Sequence, residues 1–152
     1  MKQQNGNNMV IQNKKAYHEY FILQTWEAGI VLVGTEVKSL RAKKCNINDS
    51  YAIVRNGEVF LINSHIEEYD HGNRFNHDPK RDRKLLLNKS EIRKIAAKVK
   101  EKGLTLVPLK IYFKNGKAKV ELGLAKGKHV YDKRETIANK DFMREQSRKI
   151  KL

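Results

Sequence analysis

Two Asn-Gly dipeptides, Asn56-Gly57 and Asn115-Gly116, each stand between apolar runs, and they constrain this chain more than any other feature. Asn-Gly suits the two-residue type I′ turn, whose central residues both take positive φ and whose twist matches a pair of antiparallel strands. The first joins Tyr51–Val54 to Val59–Ile62; the second joins Leu104–Phe113 to Ala118–Leu124. Two antiparallel hairpins follow. Pro108 cannot donate to a ladder, so within its run it predicts an edge or a bulge.

The other elements are read around these hairpins. Residues 1–12, rich in Asn and Gln without periodicity, are expected to be disordered. Tyr17–Trp26 is dense in aromatic and β-branched residues and predicts a strand, with Glu27-Ala28-Gly29 as a turn and Ile30–Val33 as a short buried strand. Gly34-Thr35-Glu36 opens a helix in which Val37, Leu40 and Arg41 have helical spacing and Thr35 is the candidate cap. A second helix runs from Asn88 or Ser90 to Lys102: Ile92, Ile95, Ala96 and Val99 form its apolar stripe, Ser90 suits its N-cap and Gly103 its C′ position. Phe21, Trp26, Phe60 and Phe113 fall within strand runs and are expected in the core. The pattern is mainly β: about six strands in short antiparallel hairpins, with two helices. An OB-type antiparallel β-barrel with flanking helices fits it, and a β-sandwich is the other architecture it allows.

Charge then narrows the function. The 152 residues hold 32 Lys plus Arg against 17 Asp plus Glu, a net charge of +15. The excess sits in two blocks, +7 between Arg74 and Lys100 and +5 from Lys126 to Leu152. So basic a chain is relieved by an anionic partner, and nucleic acid leads the candidates. After Leu124 the apolar residues thin out, although Lys140, Arg144 and Arg148 would share one helical face. The expected layout is a disordered segment over 1–12, an RNA-binding barrel over 13–125, and a basic tail over 126–152 that is disordered in the free protein. A single cysteine, Cys45, gives no internal disulfide and no Cys-based zinc site. No run approaches the ~18 uncharged apolar residues of a membrane span, and Met1–Asn13 lacks a signal-peptide core, so a cytoplasmic protein without membrane contact is expected.

Catalytic patterns are weak. His65, His71 and His77 are spaced by six, which is a ligand spacing on neither a helix nor a strand, and they read as surface or loop histidines. Glu67, Glu68 and Asp70 read as loop charge. Lys43 and Lys44 could lower the pKa of Cys45, but no histidine accompanies it as a base. Gly123 and Gly127 lack the spacing of a phosphate loop. No enzyme activity, metal or cofactor is expected. RNA signals are stronger. Lys80, Arg81, Arg83 and Lys84 place four basic residues in five positions before Leu85-Leu86-Leu87, and arginine's bidentate fork favours Arg81 and Arg83 as phosphate contacts. Tyr131, flanked by Lys128, His129, Lys133 and Arg134, is a candidate base stacker.

The runs Asn13-Lys14-Lys15-Ala16, Glu27-Ala28-Gly29-Ile30, Gly34-Thr35-Glu36-Val37-Lys38-Ser39-Leu40-Arg41, Asp78-Pro79, Arg83-Lys84-Leu85-Leu86-Leu87, Ala125-Lys126-Gly127-Lys128 and Asp132-Lys133-Arg134 resemble the small protein B family of SsrA-binding proteins. The resemblance extends in order from Asn13 to the C-terminus and implies an OB-type barrel. It also implies a non-enzymatic adaptor in trans-translation, which binds the tRNA-like domain of transfer-messenger RNA (tmRNA) and enters the A site of stalled ribosomes with elongation factor Tu. On this resemblance Glu27, Leu86 and Asn88 match tmRNA-binding positions, and Lys38, Arg41, Lys80, Arg81, Arg83 and Lys84 are assigned to the same surface. Gly127, Lys128, Asp132, Lys133 and Arg134 match a tail motif that meets 16S rRNA at the decoding centre, with Tyr131 as its stacker and Phe142 where the family often has a bulky tail residue; the resemblance implies that the tail also enters the empty mRNA channel. His129 departs from the family's usual lysine. A monomer is expected. The reading that stops short of the family is a general OB-type single-strand RNA-binding or ribosome-associated protein.

Overall fold

A computed structural model describes residues 7–70, 76–101 and 103–128. Both Asn-Gly hairpins form. The first joins β4 (Tyr51–Arg55) to β5 (Glu58–Ile62), the second β8 (Leu104–Lys114) to β9 (Lys117–Gly127). Asn56, Gly57, Asn115 and Gly116 have φ of 52°, 76°, 53° and 79°, as a type I′ turn requires. The ladder between β8 and β9 slips between Pro108 and Lys110, so Pro108 sits at a bulge.

These hairpins are two parts of a closed circuit. β8 pairs with β4, β4 with β5, β5 with β7 (Arg83–Leu86), β7 with β2 (Tyr20–Ile30), β2 with β9, and β9 again with β8, all antiparallel. The result is a mainly β fold built on a six-stranded antiparallel ring. Val59, Leu61, Ile66, Leu85, Leu106, Ile111, Val120 and Leu122 fill it at 0–1 % exposure. A two-stranded ladder of β3 (Cys45–Asn46) and β6 (His65–Ile66) lies apart from the ring sheet. α3 (Lys89–Val99) buries Ile95 in the same core.

Several local expectations give way to long-range contacts. Asn7–Gln12 is not disordered: it forms β1, which pairs with β8 outside the ring. Lys14–Glu19 is a helix, α1, where the aromatic density suggested that a strand begins at Tyr17. Asn13 caps it, accepting from the Ala16 N–H at 3.1 Å and donating to Ile47 O and Pro108 O at 3.2 and 2.9 Å. Glu27-Ala28-Gly29 is not a turn but part of the C-terminal end of β2, held by β9, while Val31–Val33 is not a strand. In α2 (Gly34–Arg41) the N-cap is Val33, whose N–H donates to Glu36 Oε1 at 2.9 Å; Thr35 instead bonds His77 Nδ1 at 2.8 Å. Asn88 rather than Ser90 caps α3, and Ser90 donates to the Asn88 oxygen at 2.9 Å. Gly103, at φ 82°, serves the turn into β8 several residues past the helix end at Val99. His77 lies in a loop, as one of the two readings has it, but is buried there, with Nε2 2.9 Å from Ile66 O. Trp26 and Phe113 are core, whereas Phe21 is 55 % exposed. Burial pushes the Cys45 thiol up to about 11, the reverse of the activation its lysine neighbours suggested.

Candidate nucleic-acid interface

Along β2, Trp26, Ala28 and Ile30 point inward and are buried, so Glu27 and Gly29 face outward. The register carries this outward row across three strands. Glu27 pairs with Glu121, Gly29 with Lys119 on β9 and with Leu86 on β7; Lys110 and Tyr112 on β8 stand opposite Glu121 and Lys119. Leu86 is 52 % exposed, which places it on the surface rather than in the core.

Glu27 is anchored on this face. The Tyr112 hydroxyl donates to its Oε2 at 2.5 Å, and Lys114 Nζ lies 3.5 Å from both carboxylate oxygens. The Tyr112 hydrogen bond holds the Glu27 carboxyl below its ordinary value against partial desolvation, with the Lys114 and Lys119 charges helping. Burial and the same carboxylate push the Tyr112 hydroxyl up. Lys110 pairs with Glu121 at 3.7 Å. Met9, Glu27, Lys110, Tyr112, Lys114 and Glu121 line an open cleft of about 370 Å³. A second, of about 360 Å³, is lined by residues including Gly29, Val37, Leu86, Lys117 and Lys119. A fixed carboxylate, an exposed leucine and lysines around open clefts can offer acceptors to base or ribose donors and cations to phosphates.

The basic loop divides. Arg83 is fully buried: its guanidinium pairs with Glu36 Oε2 at 2.7 Å and donates to Ser64 O, Pro79 O and Arg81 O at 3.1 Å each. This corrects the assignment of Arg83 to phosphate binding, because every direction of its fork is used within the fold. Arg81 is partly exposed; it donates to both Glu36 oxygens at 2.7 and 2.8 Å and to Val31 O at 3.2 Å. Those bonds tie the loop to the end of β2, beside Leu85 and Leu86. Lys84 pairs with Glu58 at 2.8 Å, and exposed Lys80 lines a separate groove with Asn46, Asp49, Asn63 and His65. On α2, Lys38 lies 5.4 Å from the Tyr69 ring and Arg41 4.2 Å from that of Phe113. Asn88 is exposed, but its oxygen accepts from the Glu91 N–H at 3.0 Å as the helix cap.

Tyr112, Lys114 and Lys119 were missed from sequence. The Asn115-Gly116 turn reveals that they neighbour one another, but their approach to Glu27 depends on the β2–β9 pairing, which joins distant segments. In the tail motif, β9 includes Gly127, and Lys128 is held to the body: its N–H donates to Glu19 O at 2.9 Å and its Nζ to Tyr17 O at 3.3 Å. β9 thus continues through the expected boundary at 126 as far as Gly127. Tyr131, Asp132, Lys133, Arg134 and Phe142 lie outside the described residues, as does the row of Lys140, Arg144 and Arg148.

A small antiparallel ring with this open, lysine-rimmed outer face defines a nucleic-acid-binding β-protein. Comparison with known proteins makes the assignment specific. The family model for the SmpB protein matches residues 10–152, and the chain belongs to the SmpB protein family. It is 60 % identical over 146 residues to the SsrA-binding protein of Geobacter metallireducens, covering 96 % of this chain and 95 % of that one. With the SsrA-binding protein of Acetivibrio thermocellus it shares 62 % over 143 residues, 94 % of this chain and 93 % of the other. A chain in a solved structure described as tmRNA-SmpB on a journey to the centre of the bacterial ribosome is 56 % identical. It superposes with a TM-score of 0.67, over 78 % of this chain and 83 % of that one.

Proposed function

We propose that this protein is a non-enzymatic RNA-binding adaptor of trans-translation, which binds the tRNA-like domain of tmRNA and carries it to the A site of stalled ribosomes. The observation that carries the reading is the anchored Glu27 carboxylate on the same outward face as Leu86, inside a family whose relatives are SsrA-binding proteins. An acid facing RNA meets base-edge or hydroxyl donors, not phosphate, so Glu27 serves recognition while Lys114 and Lys119 offset its charge. The six-stranded ring is an OB-type barrel in this reading. Glu27, Leu86 and Asn88 face tmRNA, with Lys38, Arg41, Lys80, Arg81 and Lys84 as accessory basic contacts. Arg83 supports them from within the fold.

The tail, with Tyr131, Asp132, Lys133, Arg134 and Phe142, enters the decoding centre and the empty mRNA channel against 16S rRNA, and Gly127 and Lys128 form its root. Elongation factor Tu accompanies the RNA, the protein acts as a cytoplasmic monomer, and no metal or cofactor takes part. The test is deletion of residues 129–152. The truncated protein should bind the tRNA-like domain with unchanged affinity in a gel shift and fail to support peptide tagging on stalled ribosomes. An equal loss of RNA affinity would overturn the division of labour. Generic single strands competing as well as the tRNA-like domain would favour a general single-strand RNA binder.

A further inference from the structure

Strand β1 lies outside the ring, at the end of its sheet, yet it supplies one wall of the cleft that holds Glu27. Its ladder with β8 pairs Met9 with Tyr112 and Ile11 with Ile111, so one extra residue, Val10, is accommodated between them. Val10 and Ile111 are buried in the core. Their neighbours Met9 and Tyr112 therefore stand together on the outer face, where Tyr112 reaches Glu27.

Met9 is 47 % exposed and is the one apolar side chain among the described residues that line this cleft. The rest of the lining is balanced in charge. Glu27 faces Lys114 at 3.5 Å and Glu121 faces Lys110 at 3.7 Å, so two carboxylates meet two ammonium groups and leave no excess of cations for a phosphate. What stays open is acceptor capacity. A carboxylate has about four lone-pair sites, and Glu27 takes one short bond, from Tyr112, with Lys114 at the limit of reach. Open carboxylate lone pairs beside an exposed thioether match the two sides of an unpaired nucleobase, a donor edge and a flat, polarisable face.

We propose that the Glu27 cleft takes one unpaired RNA base, whose donor edge bonds the Glu27 carboxylate and whose face packs on the Met9 thioether. The inference rests on the adaptor reading of the Glu27 face. It adds the ligand of the cleft, a base rather than a phosphate, and a contact made by the N-terminal strand. Tyr112 holds the carboxylate in place, whereas Met9 touches the base itself.

The test uses the full-length chain, whose three methionines are Met1, Met9 and Met143. Carbon-13 labelling of the methionine methyl groups makes each visible by NMR, and Met9→Leu identifies the Met9 resonance. With the tRNA-like domain of tmRNA at saturation, that methyl should move upfield under the ring current of the base and lose access to a soluble paramagnetic agent. Met9→Ala should weaken binding about two- to ten-fold, the range of a sulfur–ring contact. It should leave the salt slope unchanged, since a base contact releases no counterion, and leave the titration of the Glu27 carboxyl where it was. A Met9 methyl that neither moves nor loses access in the saturated complex overturns the proposal. So does Met9→Ala binding as tightly as wild type, or a Glu27 carboxyl that titrates at higher pH in this variant, which would make Met9 a mere support for Tyr112. If wild type does not bind the tRNA-like domain at all, the adaptor reading fails and this inference with it; binding with an unmoved Met9 methyl sinks this inference alone.

Discussion

Glu36 and Arg83 form an ion pair with no exposed side-chain surface on either partner, Oε2 lying 2.7 Å from the guanidinium. Arg81 takes the other side of the same carboxylate at 2.7 Å. Burial works against the Glu36 charge, but the Arg81 hydrogen bond, the Val33 N–H and Arg83 outweigh it and hold the carboxyl below its ordinary value. Burial also draws the Arg83 guanidinium down, yet from so high a starting point that it stays protonated at neutral pH. The pair welds α2 to the start of β7, and Arg81 adds the loop before it.

Breaking that weld should be costly. Glu36→Gln leaves Arg83 buried without a counter-charge, and urea unfolding should show a loss of about 3–5 kcal/mol. The sign in pH follows from the depressed carboxyl: its contribution is complete above the unfolded value of about 4.3 and disappears as pH falls through the folded one. Wild-type stability should therefore drop in that acid range. A flatter acid limb in Glu36→Gln would confirm Glu36 as the source.

Arg83→Ala and Lys114→Ala should separate folding from binding. The first should lower the unfolding midpoint by a comparable energy, about 3–5 kcal/mol, and leave the salt dependence of RNA binding unchanged once folded. The second should barely affect stability but should reduce the slope of log K against log salt by about 0.7–0.9 if Lys114 meets one phosphate. Filter binding between low and moderate salt measures both.

Tyr112→Phe removes the hydroxyl that donates to Glu27. The Glu27 carboxyl should then titrate at higher pH, observable by NMR, because the largest influence lowering it is gone. RNA affinity should fall by about two- to ten-fold at neutral pH, the range of one ordinary hydrogen bond. As pH is lowered, affinity should begin to weaken earlier than in wild type.

Gly123→Ala tests the packing of α1 against the ring. Its Cβ would stand 2.9 Å from Leu109 Cδ1 and 3.1 Å from Leu109 Cγ, in the small core of Ala16, Val107, Leu109 and Ala125. A loss of about 1–3 kcal/mol in thermal or urea unfolding is expected.

Cys45 should be slow toward thiol reagents. With its thiol pushed up to about 11, little thiolate exists at pH 8. Labelling with a disulfide reagent should be roughly 100-fold slower in the native protein than in the urea-unfolded chain, given an ordinary thiol near 8.5. Equal rates would show the site to be open.

What could be read from sequence was local. The Asn-Gly turns, the Pro108 bulge and the stripe of α3 each depend on neighbours within a few residues, and each formed as expected. What was misread depends on distant partners. The cap of α1 is secured by Asn13 through carbonyls of Ile47 and Pro108. Glu27-Ala28-Gly29, with turn-like composition, is kept extended by β9. Arg83 looked like a phosphate ligand because nothing nearby in sequence announces Glu36 as its partner. The interface divides in the same way. Glu27 and Leu86 were reached through family motifs, while Tyr112 and Lys114 became visible only when β9 paired with both β2 and β8 and brought them to Glu27.

The strand β9 has a mechanical consequence. It leads to Lys128 without an intervening linker, and it is laddered to β2 on one side and β8 on the other over most of its length. A pull on whatever follows Lys128 is shared by two rows of hydrogen bonds loaded in parallel, instead of peeling one row bond by bond. Force applied at Lys128 would thus reach the strand opposite Glu27 along both of its edges.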